Sequence, residues 1–282
     1  MKTEEQLKEL VRQKYSEIAL QDKDSNAASC CGASGCSTEV YNIMTDDYTA
    51  LGGYNAEADL GLGCGLPTQF ARIKKGDVVI DLGSGAGNDA FVARSETGEA
   101  GKVIGIDFTT AMIDKARLNA EKLAFHNVEF RQGDIENMPV AADAADVIVS
   151  NCVLNLVPNK DGVFKDIFRV LKPGGHFSIS DIVLVGDLPE NLRSAAEMYA
   201  GCVSGAIQKD AYLKLIDANG FKNVGLQKEK VIVIPDDILK NYLSETAIAE
   251  FKASGTGIFS ITVYPEKPLK SAEACCAPGC CN

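Results

Sequence analysis

A doubly wound α/β sheet, mainly parallel and finished by an antiparallel edge strand, is the architecture this chain predicts. Three observations carry it. After Asp77, short runs rich in Val and Ile (VVIDL, KVIGIDF, NVEFRQG, DVIVSN and HFSISDIVL) alternate with helical stretches such as TAMIDKARLNAEKLA, the rhythm of parallel strands joined by crossover helices. The first run ends in a glycine turn, VVIDLGSGAGNDA, that opens a helix near Asn88. Two later extended runs, VGLQKEKVIVI and GIFSITVYP, follow helical segments around residues 188–219 and 236–250 and supply the antiparallel edge.

The remaining elements follow in order. Leu7, Leu10, Val11, Tyr15 and Ile18 recur at helical intervals and predict an N-terminal helix over residues 4–20. The stretch DKDSNAASCCGASGCS loses all periodicity and is expected to be a flexible, cysteine-bearing loop. Residues 40–54 are expected to form short helices, with Tyr41, Tyr48 and Tyr54 either packing half-buried or closing over a ligand. The tail EKPLKSAEACCAPGCCN is broken by proline and expected to be a disordered, Cys-rich extension. The chain divides into an N-terminal helix and loop (1–55), a central core (56–185), a segment carrying the final strands (186–265) and the tail (266–282).

Composition narrows the function. The 282 residues, 46% hydrophobic and 24% charged, are enough for one large domain with appendages. A net charge of -11 argues against nucleic acid, whose binders concentrate Lys and Arg to displace counterions. The start MKTEEQLKELVRQKYSEIAL has no apolar signal segment, and no run approaches the roughly 20 apolar residues of a membrane span. A cytoplasmic protein, acting without a membrane and as a monomer, is the expectation. In a reducing compartment its ten cysteines point to thiol chemistry or metal binding rather than disulfides. His126 and His176 lie far from any cysteine cluster in the sequence, so a mixed Cys/His zinc site has little to draw on and no structural metal is expected.

The cysteines fall into a centre and two arms. Cys64 in GLGCGLP, Cys152 in SNCVLNL and Cys202 in AGCVSGA stand singly, each beside a predicted turn or strand end, as candidates for one soft-ion site. Cys30, Cys31 and Cys36 lie near the start, and Cys275, Cys276, Cys280 and Cys281 in the last eight residues. Any single thiol has a plainer reading as a small buried hydrophobe.

The glycine turn has the spacing G-x-G-x-G at Gly83, Gly85 and Gly87, not the G-x-G-x-x-G that brings a pyrophosphate to a helix N-terminus. It suits a nucleoside without phosphate. Asp81 closes the first strand. Asp107, closing the second, is placed to accept hydrogen bonds from both ribose hydroxyls. Asp134, after the third, is placed to reach an adenine amino group with Ile135 covering the ring, and Asn151 ends the fourth. Ligands of open α/β sheets bind beyond the carboxyl ends of the strands, where these residues line up.

These motifs resemble the Rossmann-like class I methyltransferases that use S-adenosylmethionine, and among them the arsenite methyltransferases. The likeness runs from about Tyr54 to Pro265 and rests on LGLGCGLPTQFARIKKGDVVIDLGSGAGNDAFVA, VIGIDFTTAMIDKAR, SNCVLNLVPNKDGVFKDIFRVLKPGG and GCVSGAIQKDAYLKLIDANGF. VLKPGG is shared by many small-molecule methyltransferases; the three cysteine motifs carry the specificity. One departure is Leu66, where the family usually has Asn. The resemblance implies that Cys64, Cys152 and Cys202 bind trivalent arsenic and are the catalytic residues. It implies that Asp81, Gly83, Gly85, Gly87, Asp107, Met112, Asp134, Ile135 and Asn151 hold S-adenosylmethionine. It implies too that arsenite arrives as a glutathione or small-thiol adduct and that thioredoxin or glutathione serves as external thiol reductant.

Thiolates select soft ions, and trivalent arsenic takes three ligands in a pyramid that leaves its lone pair uncovered. Structural zinc prefers four. Binding requires thiols, near pKa ~8.5 when unperturbed, to lose their protons. The terminal pairs Cys30, Cys31, Cys275, Cys276, Cys280 and Cys281 are further candidate arsenic ligands. They either deliver arsenite inward, exchange disulfides with a reductant, or are dispensable. Two other functions stay open: a carbon or oxygen methyltransferase for a quinone-like acceptor, and a metal-sequestering protein on an inactive scaffold.

Overall fold

The computed structural model describes residues 3–21, 44, 46–189, 192, 203 and 205–269. Its strands are β1 (Val78–Leu82), β2 (Lys102–Asp107), β3 (Val128–Gln132), β4 (Ala145–Asn151), β5 (Leu171–Val185), β6 (Lys222–Ile232) and β7 (Gly257–Glu266). The described helices are α1 (Glu4–Ala19), α2 (Pro67–Phe70), α3 (Asn88–Thr97), α4 (Thr110–Lys122), α5 (Lys160–Val170), α6 (Lys209–Ala218), α7 (Asp236–Leu239) and α8 (Glu245–Ala253), with a 3-10 turn at Leu154–Leu156. The seven strands form one sheet in the order β3-β2-β1-β4-β5-β7-β6. β1 to β5 are parallel, and β7 runs antiparallel to both β5 and β6. The expected fold class is what is found, an antiparallel edge included.

The strands pair in parallel because both their faces are buried. Odd and even positions serve opposite faces. Ile80, Leu82, Ile104, Ile106, Ile148, Phe177 and Ile179 meet Val163, Phe164 and Ile167 of α5 and Tyr212 and Ile216 of α6. Val79, Val103, Val147 and Val149 meet Phe91 of α3, Met112, Ile113 and Ala116 of α4, and Ile18 of α1. Phe164 anchors the first face, its ring 5.9 Å from Phe177 and 5.6 Å from Tyr212. α1 begins in a capping box, Thr3 accepting from the Gln6 N–H while the Gln6 side chain takes the Thr3 N–H, which fixes its start.

Two departures from the sequence reading have local causes. β5 starts at Leu171, five residues before HFSISDIVL, because Lys172–Gly175 forms a bulge in the pairing with β4; Gly174 takes φ 80, and Pro and Gly read as a loop in the sequence. Residues 46–54 form turns rather than the expected short helices. Gly53 stands at φ 87, where a Cβ would lie 2.4 Å from the Phe91 carbonyl, so the chain is held in a turn against α3.

Replacing Phe164, fully buried, with alanine should cost about 3–5 kcal/mol of unfolding free energy. Urea denaturation checks this; a loss under about 1 kcal/mol would mean this face repacks freely.

Candidate functional site

β1 and β4 are neighbours, yet the chain proceeds from β1 toward β2 on one side and from β4 toward β5 on the other. A crevice opens where the strand order reverses. There the turns after β1, β2, β3 and β4 line a cleft of about 1080 Å³, partly open to solvent, with Asp81, Gly83, Gly85, Asp107, Met112, Asp134, Ile135 and Asn151 all on its wall. Gly85 stands at φ 50 with nothing within 4 Å of where a Cβ would be, so its backbone faces open space. Gly87 is not among the lining residues. It takes φ 102 and its missing Cβ makes room for the rings of Phe91 and Phe130, seating the start of α3 on the sheet. Asn119 of α4 donates to the Ala86 carbonyl at 3.1 Å and steadies the turn.

The wall is acidic. Asp59, Asp81, Asp89, Asp107 and Asp134 all border the cleft. Asp107 accepts from the N–H groups of Thr109 (2.8 Å) and Gly85 (3.1 Å). Asp81, 2% exposed, has its Oδ2 buried with no partner among the described residues. Burial pushes the Asp81 carboxyl well above the ordinary range, and the negative charges of Asp89 and Asp107 push it further. Burial likewise raises Asp89 to about 6, although Tyr48 and Asn151 hydrogen bonds to its charged form pull the other way. Such a cluster of reluctant carboxylates favours a cationic ligand.

At the cleft's other side α1 contributes Lys8 and Tyr15. Lys8 Nζ donates to Asp134 at 2.6 Å and to Glu136 at 2.7 Å. Asp134 lies two residues past the end of β3, in a turn bridged to Asn137, and its carboxylate is shared with this lysine.

The thiol end adjoins the same wall. Cys152 follows β4 with φ 61, a left-handed conformation uncommon outside glycine, and its N–H donates to the Ser180 carbonyl at 2.8 Å. Cys64 is fully buried between two glycines that no larger residue could replace in place: a Cβ on Gly63 would lie 2.6 Å from the Asn151 amide, and one on Gly65 would lie 2.5 Å from Ser180 Oγ. Cys64 and Cys152 share one apolar cluster with Met44, Ile182, Val203, Ala206 and Ile258. Neither is in a disulfide.

Cys202 lies outside the described residues, as do Cys30, Cys31, Cys36, Tyr41, Cys275, Cys276, Cys280 and Cys281. Val203, next in the chain to Cys202, is 4% exposed within the Cys64–Cys152 cluster. Gly205 sits so close to the turn after Cys152 that a Cβ there would lie 2.0 Å from the Asn155 carbonyl. Of the tyrosines, Tyr48 is buried on the cleft wall and hydrogen-bonded to Asp89 at 2.8 Å, and Tyr54 packs beside it. Sequence reasoning missed Lys8, Tyr15, Asp59 and Asp89; only Asp89, in the first turn after the glycine loop, carried a local signal.

Comparison with known proteins agrees with this geometry. A methyltransferase domain family matches residues 73–220. The arsenite methyltransferase of Halobacterium salinarum is 38% identical, the match covering 94% of this chain and 68% of that protein. The human arsenite methyltransferase is 32% identical over 79% of this chain and 63% of its own length, so the chain spans about two thirds of these relatives. The crystal structure of an arsenic (III) S-adenosylmethionine methyltransferase from Chlamydomonas reinhardtii superimposes with a TM-score of 0.62 at 30% identity, covering 83% of this chain and 75% of that one. With the strand order, the cleft and the paired thiols in place, the chain belongs to the arsenite methyltransferases, a family of S-adenosylmethionine-dependent enzymes.

Proposed function

We propose that the enzyme binds trivalent arsenic through Cys64, Cys152 and Cys202 and methylates it from a donor held in the adjoining cleft. One observation carries the reading: Cys64, Cys152 and Val203, the neighbour of Cys202, meet in one buried cluster against the acidic cleft. Three thiolates suit a pyramidal soft ion and leave its lone pair for reaction. The methylated arsenicals that result are the products of a detoxification reaction.

The cleft fits the donor. Among the described residues Asp81 has a buried oxygen without a partner, and Gly85 faces open space, so a cationic group and a close-lying ligand are both accommodated. S-adenosylmethionine supplies an electrophilic methyl group on a sulfonium, together with an ammonium. Asp81 and Asp89 would hold its cationic end, Asp107 with the Gly83–Gly85 backbone its ribose, and Asp134, Met112 and Ile135 its adenine. Gly87 seats α3 behind that backbone. The protein's contribution is alignment and exclusion of water, effects together worth roughly 7–11 kcal/mol; no residue acts as general base. Transfer oxidises the arsenic by two electrons, so a further methylation needs a thiol reductant, glutathione or thioredoxin.

The tail leaves from the wrong end for easy delivery. Ser260 of β7 donates to the Cys64 carbonyl, whereas Lys267 pairs with Gly175 at the sheet's opposite end. Those seven steps of strand span ~24 Å. Cys275 is six residues beyond Leu269, a reach of at most ~22 Å. Their longer reach favours Cys280 and Cys281 for delivery within one chain, with Cys275, Cys276, Cys30 and Cys31 serving capture or redox exchange. We keep the four-part division at residues 55, 185 and 265. We also place the enzyme in the cytoplasm as a monomer. Its ten cysteines suit a reducing compartment, and no described helix is long and apolar enough to cross a membrane.

Cys152→Ser and Cys202→Ser should each lower methyl transfer to arsenite by at least about a hundredfold, since even supporting groups around a bound ion cost 10–100-fold. Binding of S-adenosylhomocysteine should persist in both. Full activity in either variant rules out the three-thiol site.

A pH series provides a second check. Asp89 rises from 3.8 to about 6 and Asp181, fully buried against Tyr212 and Lys160, to about 7, each chiefly through burial. Because both lie above their unfolded values, they contribute stability to the ligand-free protein that is complete below about pH 4 and lost as pH rises through 6 and 7. Melting temperature should therefore fall between about pH 4 and 7 through these two groups, less so in Asp181→Asn. Donor binding needs Asp89 ionised, so affinity for S-adenosylmethionine should drop by up to about tenfold per unit below pH 6. Asp89→Asn should flatten that slope; an unchanged slope removes Asp89 from the donor site.

A further inference from the structure

We propose that Asn151 is a positioning residue for Cys64, tying the arsenic site to the donor cleft, and not a ligand of the donor. The inference rests on the arsenic-site reading above. Both donor hydrogens of its amide, and one lone pair of its oxygen, are directed at protein groups. Its Oδ1 accepts from the Cys64 N–H at 2.9 Å. Its Nδ2 donates to the Gly65 carbonyl at 2.9 Å, to Asp89 at 3.2 Å and to the Tyr48 hydroxyl. An amide offers two donor hydrogens and an oxygen with two lone pairs, so the three contacts on Nδ2 leave no N–H for a ligand, and the oxygen is already turned to the Cys64 N–H.

What Asn151 holds is the short loop Gly63–Cys64–Gly65, gripped on both sides of the thiol. The missing Cβ of Gly63 is what lets the amide reach the Cys64 backbone, since that atom would lie 2.6 Å from Nδ2. Tyr48 reinforces the same point, its hydroxyl within 3.1 Å of the Gly65 carbonyl and 2.8 Å of Asp89. Ser260 closes the far side through the Cys64 carbonyl. Asn151 is itself the last residue of β4 and directly precedes Cys152. One side chain thus sets the spacing between two of the thiols, while its link to Asp89 connects that spacing to the carboxylate facing the donor's cationic end. A positioning role of this kind moves arsenic affinity and turnover and leaves donor affinity nearly untouched.

The test uses the full-length protein. Arsenite protection from iodoacetamide of Cys152, the thiol of the pair that lines the cleft, is titrated peptide by peptide by mass spectrometry, and S-adenosylhomocysteine affinity is measured by calorimetry. In Asn151→Ala the arsenite concentration giving half-protection should rise about tenfold, the loss of one or two hydrogen bonds, with S-adenosylhomocysteine affinity within about twofold of the parent. In steady state kcat should fall while KM for S-adenosylmethionine stays put. Ser260→Ala, which loosens the same loop without touching the cleft wall, should move half-protection in the same direction and carries the test alone if Asn151→Ala does not fold. A loss of S-adenosylhomocysteine affinity in Asn151→Ala equal to or larger than the loss for arsenite overturns the proposal, as does unchanged protection in both variants. Absence of any Cys152 protection in the parent protein would instead overturn the arsenic-site reading itself.

Discussion

Where β1 and β4 lie side by side, the connections on either side part, and everything functional in this molecule depends on the gap they leave. Backbone pairing brings Leu82 level with Ser150, so the glycine turn after β1 and the Asn151–Cys152 step after β4 are forced to the same rim. The acidic wall and the thiol cluster are neighbours for that reason alone. No residue needs to bridge a distance that the sheet has not already closed.

The rim is costly to build. Cys152 holds a left-handed backbone, Gly83 and Gly85 do the same, and Asp81 keeps a buried oxygen without a partner among the described residues. The opposite end of the sheet shows the contrast: Lys267 satisfies Asp143 and the carbonyls of Phe168 and Leu171 at once, and the LKPGG bulge lies there, away from the chemistry. Strain and unmet polarity gathered at one end of a fold are the mark of a site that expects ligands.

The sequence made the fold legible because buried parallel strands read as continuous Val and Ile runs. VVIDL coincides with β1, and the other runs fall within a few residues of their strands apart from the start of β5. Most of the cleft residues were legible for the same reason: they lie at or just past the end of a strand that periodicity locates. The contact between Lys8 and Asp134 was not, the two being 126 positions apart, and no local pattern announces a contact of that kind. The turns at 46–54 were misread because tyrosines at near-helical spacing there serve packing against α3. Asn151 was placed correctly at the rim, but its partners, which decide its role, lie on a loop 87 residues earlier.

Arsenic K-edge X-ray absorption on the arsenite-loaded protein, with the seven terminal cysteines replaced by serine, tests the central claim most directly. Three sulfur neighbours, falling to two on Cys64→Ser, Cys152→Ser or Cys202→Ser, are what convergence of the three thiols requires. Two sulfurs in the otherwise intact protein, or a count that ignores any of those substitutions, would contradict it.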